Sequence, residues 1–264
     1  MSQDLTTHAL LIERIVGHTA VISINNPPAN TWTAQSLQAL THKVLALNQN
    51  QDIYALVITG EGETFFSAGA DLTLFADGNK QHAMEMATDF GEAFAALSAF
   101  RGVSIAAING YAMGGGLEAA LACDIRICEQ QAKLALPEAT VGLLPCAGGT
   151  QHLTALVGEG WAKRMILCGE HITAAKAEQI GLVEEVVAPG HALSAAMSLA
   201  EKVANQSPSS VKACKTLVQA ARTMPRANAL PLERELFVAL FDTEDQTEGV
   251  NAFLNKRQAN WKNR

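Results

Sequence analysis

The chain has 264 residues, 48% hydrophobic and 17% charged, with a net charge of −7 at neutral pH. This length allows one or two domains with a substantial core, and the acidic balance argues against a non-specific binder of nucleic acid or of anionic membranes. No apolar run reaches the length of a membrane span, and the opening M-S-Q-D-L-T-T-H has neither a basic leader nor an Arg-rich transit pattern, so a cytoplasmic protein is expected.

The runs H-A-L-L-I-E-R-I-V and T-A-V-I-S-I-N, separated by Gly17 and His18, predict a β-hairpin. A break at N-P-P-A-N-T-W follows. From about Thr33, Leu37, Leu40, Val44 and Leu47 recur at the spacing of one buried helical face. The run I-Y-A-L-V-I-T (53–59) is apolar throughout, as in a strand covered on both sides. After the turn S-A-G-A-D (67–71), Phe90, Phe94 and Leu97 mark a helix over 80–100. The strand V-S-I-A-A-I (103–108) then leads through Gly114, Gly115 and Gly116 into an apolar helix, and I-R-I-C is again a strand. The order implies stacked βα and ββα units in an α/β core. Helices over 150–157 and 160–168 would end at Gly158 and Gly169, G-L-V-E-E-V-V (181–187) reads as a last strand, and from about 190 the pattern is helical. In that tail Thr243 or Thr247 caps a final helix carrying Val250, Phe253 and Leu254.

Candidate chemistry narrows quickly. There is no G-x-x-x-x-G-K-[ST], and M-G-G-G-L-E-A lacks the spacing of G-x-G-x-x-G. The seven histidines never fall at a ligand-like distance from a cysteine or another histidine, so no metal site is expected. The five cysteines are scattered and read as reduced thiols, Cys146 as a packed thiol and His152 as a surface imidazole.

The two glycine turns follow buried strands, where backbone N–H groups can converge into an oxyanion hole. Tight helix–sheet packing explains glycines equally well. Glu118 and Glu138 each interrupt an apolar stretch, a placement seldom found unless the carboxylate is paired or functional. They are either an acid–base pair next to a carbonyl, or carboxylates bonded to a backbone amide or to an arginine such as Arg126.

The run A-A-I-N-G-Y-A-M-G-G-G-L-E-A-A-L-A-C-D-I-R, followed by L-P-E-A-T-V-G-L-L-P-C-A-G-G-T-Q, resembles the signature of the enoyl-CoA hydratase (crotonase) family. F-F-S-A-G-A-D-L, G-E-H-I-T-A-A-K-A-E-Q-I-G-L-V-E-E-V-V and A-F-L-N-K-R-Q-A-N-W-K resemble further segments of that family, so the likeness covers nearly the whole chain. It implies an α/β, crotonase-like spiral of repeated ββα units over 1–195, with a helical C-terminal trimerisation region over 196–264. It further implies an oxyanion hole from the N–H groups of Ala70 and Gly115, and two catalytic carboxylates, Glu118 as base toward water and Glu138 as proton donor to the α-carbon. Substrate and coenzyme A contacts would come from Ala68, Asp71, Leu72 and Cys146, with Phe253 and Lys256 reaching the coenzyme of a neighbouring subunit.

The implied reaction is syn hydration of a trans-2-enoyl-CoA to a 3-hydroxyacyl-CoA in fatty-acid or related acyl-CoA degradation. An enoyl-CoA isomerase is the alternative, and a non-catalytic binding member is a third reading. No cofactor is expected beyond the coenzyme A of the substrate, and the expected assembly is a trimer or hexamer. Two departures stand out: Cys146 occupies a position usually held by glycine, and His152 one where arginine is frequent.

Overall fold

The computed structural model describes residues 9–264; the reading of residues 1–8, including His8 at the head of the first predicted strand, lies outside the described residues. The chain opens with a hairpin, β1 (Leu11–Val16) and β2 (Thr19–Ile24), paired antiparallel around Gly17 at φ 57°. Helix α1 (Ala34–Gln49) starts at Thr33, whose side chain accepts from the Ser36 N–H, and it buries Leu37, Leu40, Val44 and Leu47.

Three ββα units follow: β3 (Ala55–Gly60), β4 (Phe65–Ser67) and α2 (Lys80–Ser98); β5 (Val103–Ile108), β6 (Tyr111–Met113) and α3 (Gly115–Ala122); β7 (Ile125–Glu129), β8 (Lys133–Ala135) and α4 (Gly149–Leu167). The first strand of each unit joins a six-stranded sheet and the second joins a four-stranded sheet, so the chain steps between two sheets before each helix. With β9 (Ile172–Thr173), α5 (Ala174–Gln179), β10 (Glu185–Val187) and α6 (Ala192–Ala204), the strand orders are β1-β2-β3-β5-β7-β10 and β4-β6-β8-β9. Pairing is parallel except at β1–β2 and β8–β9.

Both faces of the large sheet are covered, which accounts for strands that are apolar throughout. Val21, Val57, Ile105 and Ile127 point toward α6, which presents Ala192, Ala196 and Ala200. The opposite face, with Ile22, Leu56, Ile58 and Ile108, joins the main core beneath α1, α2 and α3. The boundary expected at 195/196 falls inside α6, whose Ala192, Ala196 and Ala200 are buried against the sheet.

The helices predicted on either side of Gly158 are both present: α4 consists of two helices that meet at a kink where Gly158 adopts φ 76° and ψ 165°. One strand reading is corrected. The strand expected over 181–187 is limited to β10, because Gly181 turns at φ 76° and Leu182 and Val183 bury their side chains in the core instead.

Beyond α6 lie α7 (Pro208–Ala220), α8 (Arg226–Ala239) and α9 (Glu244–Leu254), the last capped by Thr243. None of the side chains of α7 or α8 is fully buried. Phe237, Phe241, Phe253 and Leu254 are all more than half exposed. Trp261 folds back onto α9 and lies 3.0 Å from where a Cβ on Gly249 would sit. Among the described residues no helix is long and apolar enough to cross a membrane.

Candidate active site

The two glycine turns meet. Gly69 turns at φ 90°, and a Cβ there would lie 2.7 Å from the Met113 carbonyl oxygen and 3.1 Å from the Gly115 nitrogen. The turn after β4 therefore abuts the start of α3. Around it the Ala68 N–H donates to Ala29 O at 2.9 Å and the Asp71 N–H to Trp32 O at 3.3 Å. Among the described residues neither the Ala70 N–H nor the Gly115 N–H donates to the protein. Gly115 opens α3, where the first N–H groups have no intrahelical acceptor and the helix dipole is positive. Ala70 and Gly115 both line one cavity of about 270 Å³.

Each of the three consecutive glycines has a separate cause. Gly114 caps α3 at φ 51° and ψ −126°, a conformation strained for any side chain. At Gly115 a Cβ would sit 2.7 Å from the Phe90 ring, and at Gly116 it would sit 2.2 Å from the Ser67 carbonyl oxygen. Close helix–sheet packing and an N–H without a protein acceptor among the described residues thus coexist in one turn.

Glu118, one turn into α3, is 2% exposed. Its Oε1 accepts the N–H groups of Ala147 (2.8 Å) and Gly149 (2.9 Å), at the loop that opens α4. Of the partners expected for a structural carboxylate, the backbone amides are present and Arg126 is not. Arg126 pairs with Glu184 and donates to the Leu182 and Cys123 carbonyls. Burial pushes the Glu118 carboxyl above its usual range, and the two amides oppose that push.

Glu138 begins a short 3-10 turn (Glu138–Val141) after Pro137. Both of its carboxyl oxygens are buried without a hydrogen-bond partner among the described residues, and Oε1 lies 3.2 Å from where a Cβ on Gly114 would sit. Burial first, then the charge of Glu118, raises its pKa to about 7. Two carboxyls thus line one cavity beside two unpaired N–H groups. One is fixed by donors that favour its charge, and the other has none. This is the division expected of a base and an acid.

The remaining predicted residues separate. Ala68 and Leu72 line the cavity. The Asp71 side chain instead caps the 3-10 turn Leu72–Phe75, accepting from the Thr73 N–H at 3.0 Å and the Thr73 hydroxyl at 2.7 Å. Phe253, 83% exposed, and Lys256 lie on and just beyond α9, outside the cavity of their own chain.

Cys146 is not a packed thiol: it is exposed and borders the cavity, and partial desolvation with the two carboxylates nearby raises its pKa to about 11. Its backbone is not in the positive-φ region, so the position does not demand glycine. His152 is not a surface imidazole but half-buried against Gly148, its pKa lowered by burial and by Arg222 and Arg126. The reading from sequence allowed a backbone amide for Glu118 without locating it at Ala147 and Gly149; the A-G-G run at 147–149 was the available signal.

Comparison with known proteins agrees with this fold. The Escherichia coli 2,3-dehydroadipyl-CoA hydratase is 40% identical over 245 residues, covering 92% of this chain and 95% of that protein. The short-chain-enoyl-CoA hydratase of Clostridium acetobutylicum is 36% identical over 243 residues, covering 92% and 93%. Among solved structures, Pseudomonas aeruginosa DspI superposes with a TM-score of 0.94 at 61% identity, covering 99% of this chain and all of that one. The enoyl-CoA hydratase of Bacillus anthracis does so with a TM-score of 0.93 at 33% identity, covering 97% of this chain and all of that one. Residues 15–264 match the enoyl-CoA hydratase/isomerase family, and the chain belongs to that family.

Proposed function

We propose that the protein is an enoyl-CoA hydratase that adds water syn across a trans-2-enoyl-CoA, giving a 3-hydroxyacyl-CoA in acyl-CoA degradation. The observation that carries this reading is the pair Glu118 and Glu138 on one cavity with the unpaired N–H groups of Ala70 and Gly115. The thioester oxygen is held by those two N–H groups, which stabilise the enolate as charge moves onto it. Glu118 takes a proton from water while the water oxygen bonds to the β-carbon. The carbon–carbon π electrons move toward the carbonyl, and Glu138 returns a proton to the α-carbon. Leu72, Val141 and Leu144, exposed at the cavity rim, give the pantetheine arm an apolar approach. No cofactor enters these steps.

In this reading Ala68 and Asp71 support the coenzyme side, Asp71 by fixing the turn that carries Leu72. The backbone at Cys146 faces the water. Helices α7 to α9 form the oligomerisation region of a trimer or hexamer, supported by the exposed Phe237, Phe241, Phe253 and Leu254. The exposure of Phe253 also suits a contact with a neighbour's coenzyme.

The test is loss of the conjugated thioester absorbance when enoyl-CoA is added, with 3-hydroxyacyl-CoA as the product. Isomerisation of a 3-enoyl-CoA without hydration of the 2-enoyl-CoA would favour the isomerase reading. No turnover of either would favour a binding protein.

A further inference from the structure

A larger space, of about 1090 Å³, opens between α7 and the ends of α2 and α3. It adjoins the carboxylate cavity, the two being lined by neighbouring residues of the same elements. On α2, Phe90 lines the cavity, and the next residues inward, Gly91 and Phe94, line the cleft. On α3, Glu118 lines the cavity, and Leu121, about one turn further on, lines the cleft. Cys146 borders both spaces.

The cleft is a built feature. Helix α7 is fastened at one edge by Lys215, whose ammonium donates to Phe100 O (2.6 Å) and Gly102 O (3.0 Å) and pairs with Asp124 at 2.7 Å. Gln219 adds a bond to Ser98 O at 3.0 Å. Away from that edge α7 does not close onto the core. Gly91 keeps the wall open: it lies inside a 19-residue helix, where glycine is unfavourable, yet a Cβ there would meet nothing within 4 Å. No close packing requires glycine at this position, and a larger side chain there would project into the open space beside it.

A thioester held by Ala70 and Gly115 places its α- and β-carbons beside the two glutamates, inside a cavity of only about 270 Å³. Carbons beyond the β-carbon need an exit, and the adjoining apolar cleft supplies one. We propose that this cleft is the acyl-tail chamber, that the protein takes enoyl-CoAs with tails well beyond four carbons, and that Gly91 is a residue that sets this length. The proposal rests on the hydratase reading and names its substrate class.

The experiment is a kcat/KM profile over trans-2-enoyl-CoAs from four to sixteen carbons for the wild type, Gly91→Ala and Gly91→Leu. Full burial of one methylene corresponds to roughly fourfold in kcat/KM. The expected result is a wild-type ratio, twelve-carbon over four-carbon, of at least roughly tenfold. Gly91→Leu should reduce that ratio by roughly tenfold, with Gly91→Ala between and melting temperatures not lower than wild type. A ratio unmoved by Gly91→Leu overturns the proposal, including the case where the substitution changes only the oligomeric mass because a second copy of the chain fills the cleft.

If no thioester is turned over, the hydratase reading fails by itself, and calorimetric Kd values for butanoyl-CoA and dodecanoyl-CoA decide the chamber. Tighter binding of the longer chain, lost in Gly91→Leu, supports it; equal Kd values overturn it.

Discussion

A carboxyl that is buried without a donor keeps its proton longer than one in water. For Glu138 this raises the pKa from the usual carboxylate range to about 7. In the proposed mechanism Glu138 is the proton donor, so hydration kcat/KM should be level at mildly acidic pH and fall as pH rises through about 7. The macroscopic value belongs to the Glu118–Glu138 pair. A flat profile from pH 6 to 9 would remove Glu138 from that role. The same shift has a stability sign: a carboxyl whose pKa is higher folded than unfolded binds more protons in the folded state between the two values. Its contribution is therefore lost as pH rises from about 4.5 toward about 7. Glu138→Gln should accordingly raise the melting temperature more at pH 8 than at pH 5, which calorimetry at both values checks. Cys146→Ala should retain most activity, because the backbone there is ordinary and the thiol, at a pKa of about 11, is neutral; a 1000-fold loss in a folded variant would give the thiol a chemical role. Both glutamates were legible in the sequence, since a charge within an apolar run needs a reason. The surroundings of Cys146 and His152 were not, because the cavity wall beside them is assembled from α2, α3 and α7, far apart in the chain.

Glycines in two neighbouring helices have opposite meanings. In α3 a Cβ on Gly116 would lie 2.2 Å from the Ser67 carbonyl, so Gly116→Ala must push the helix off β4. A loss of about 1–3 kcal/mol is expected, as for overpacking generally. In α2 Gly91→Ala meets nothing and should gain roughly 0.5–1 kcal/mol. Urea unfolding of both variants gives the comparison, and equal effects would contradict the packing described. Long elements were readable because their patterns are long: α1 and α2 show a repeated buried face, and β3 and β5 are continuous apolar runs closed by glycine or asparagine. The second sheet was not readable. Its strands β4, β6 and β8 have three residues each and β9 has two, too few for any alternation to show. They become strands only because each ββα unit stacks on the next.

At the scale of the whole molecule, α7 to α9 leave apolar side chains in water that a lone subunit gains nothing by exposing. Phe237 and Phe241 pack edge-to-face at 5.5 Å and remain 62% and 57% exposed. Light scattering should give the mass of a trimer or hexamer, and Phe237→Glu with Phe241→Glu should shift it toward the monomer; an active wild-type monomer would contradict the assembly. The proposed hydration depends on the two carboxylates sharing one water. The most direct test is hydration of a crotonyl-type thioester and isomerisation of a 3-enoyl thioester by Glu118→Gln and Glu138→Gln, with folding checked by circular dichroism. Glutamine preserves size, and at position 118 its carbonyl can still accept the Ala147 and Gly149 amides, so the change is confined to proton transfer. General acid–base groups contribute about 100- to 10,000-fold, and each variant should lose hydration by at least about 100-fold. Near wild-type hydration by Glu118→Gln, with isomerisation abolished only in Glu138→Gln, would contradict the two-carboxylate hydratase.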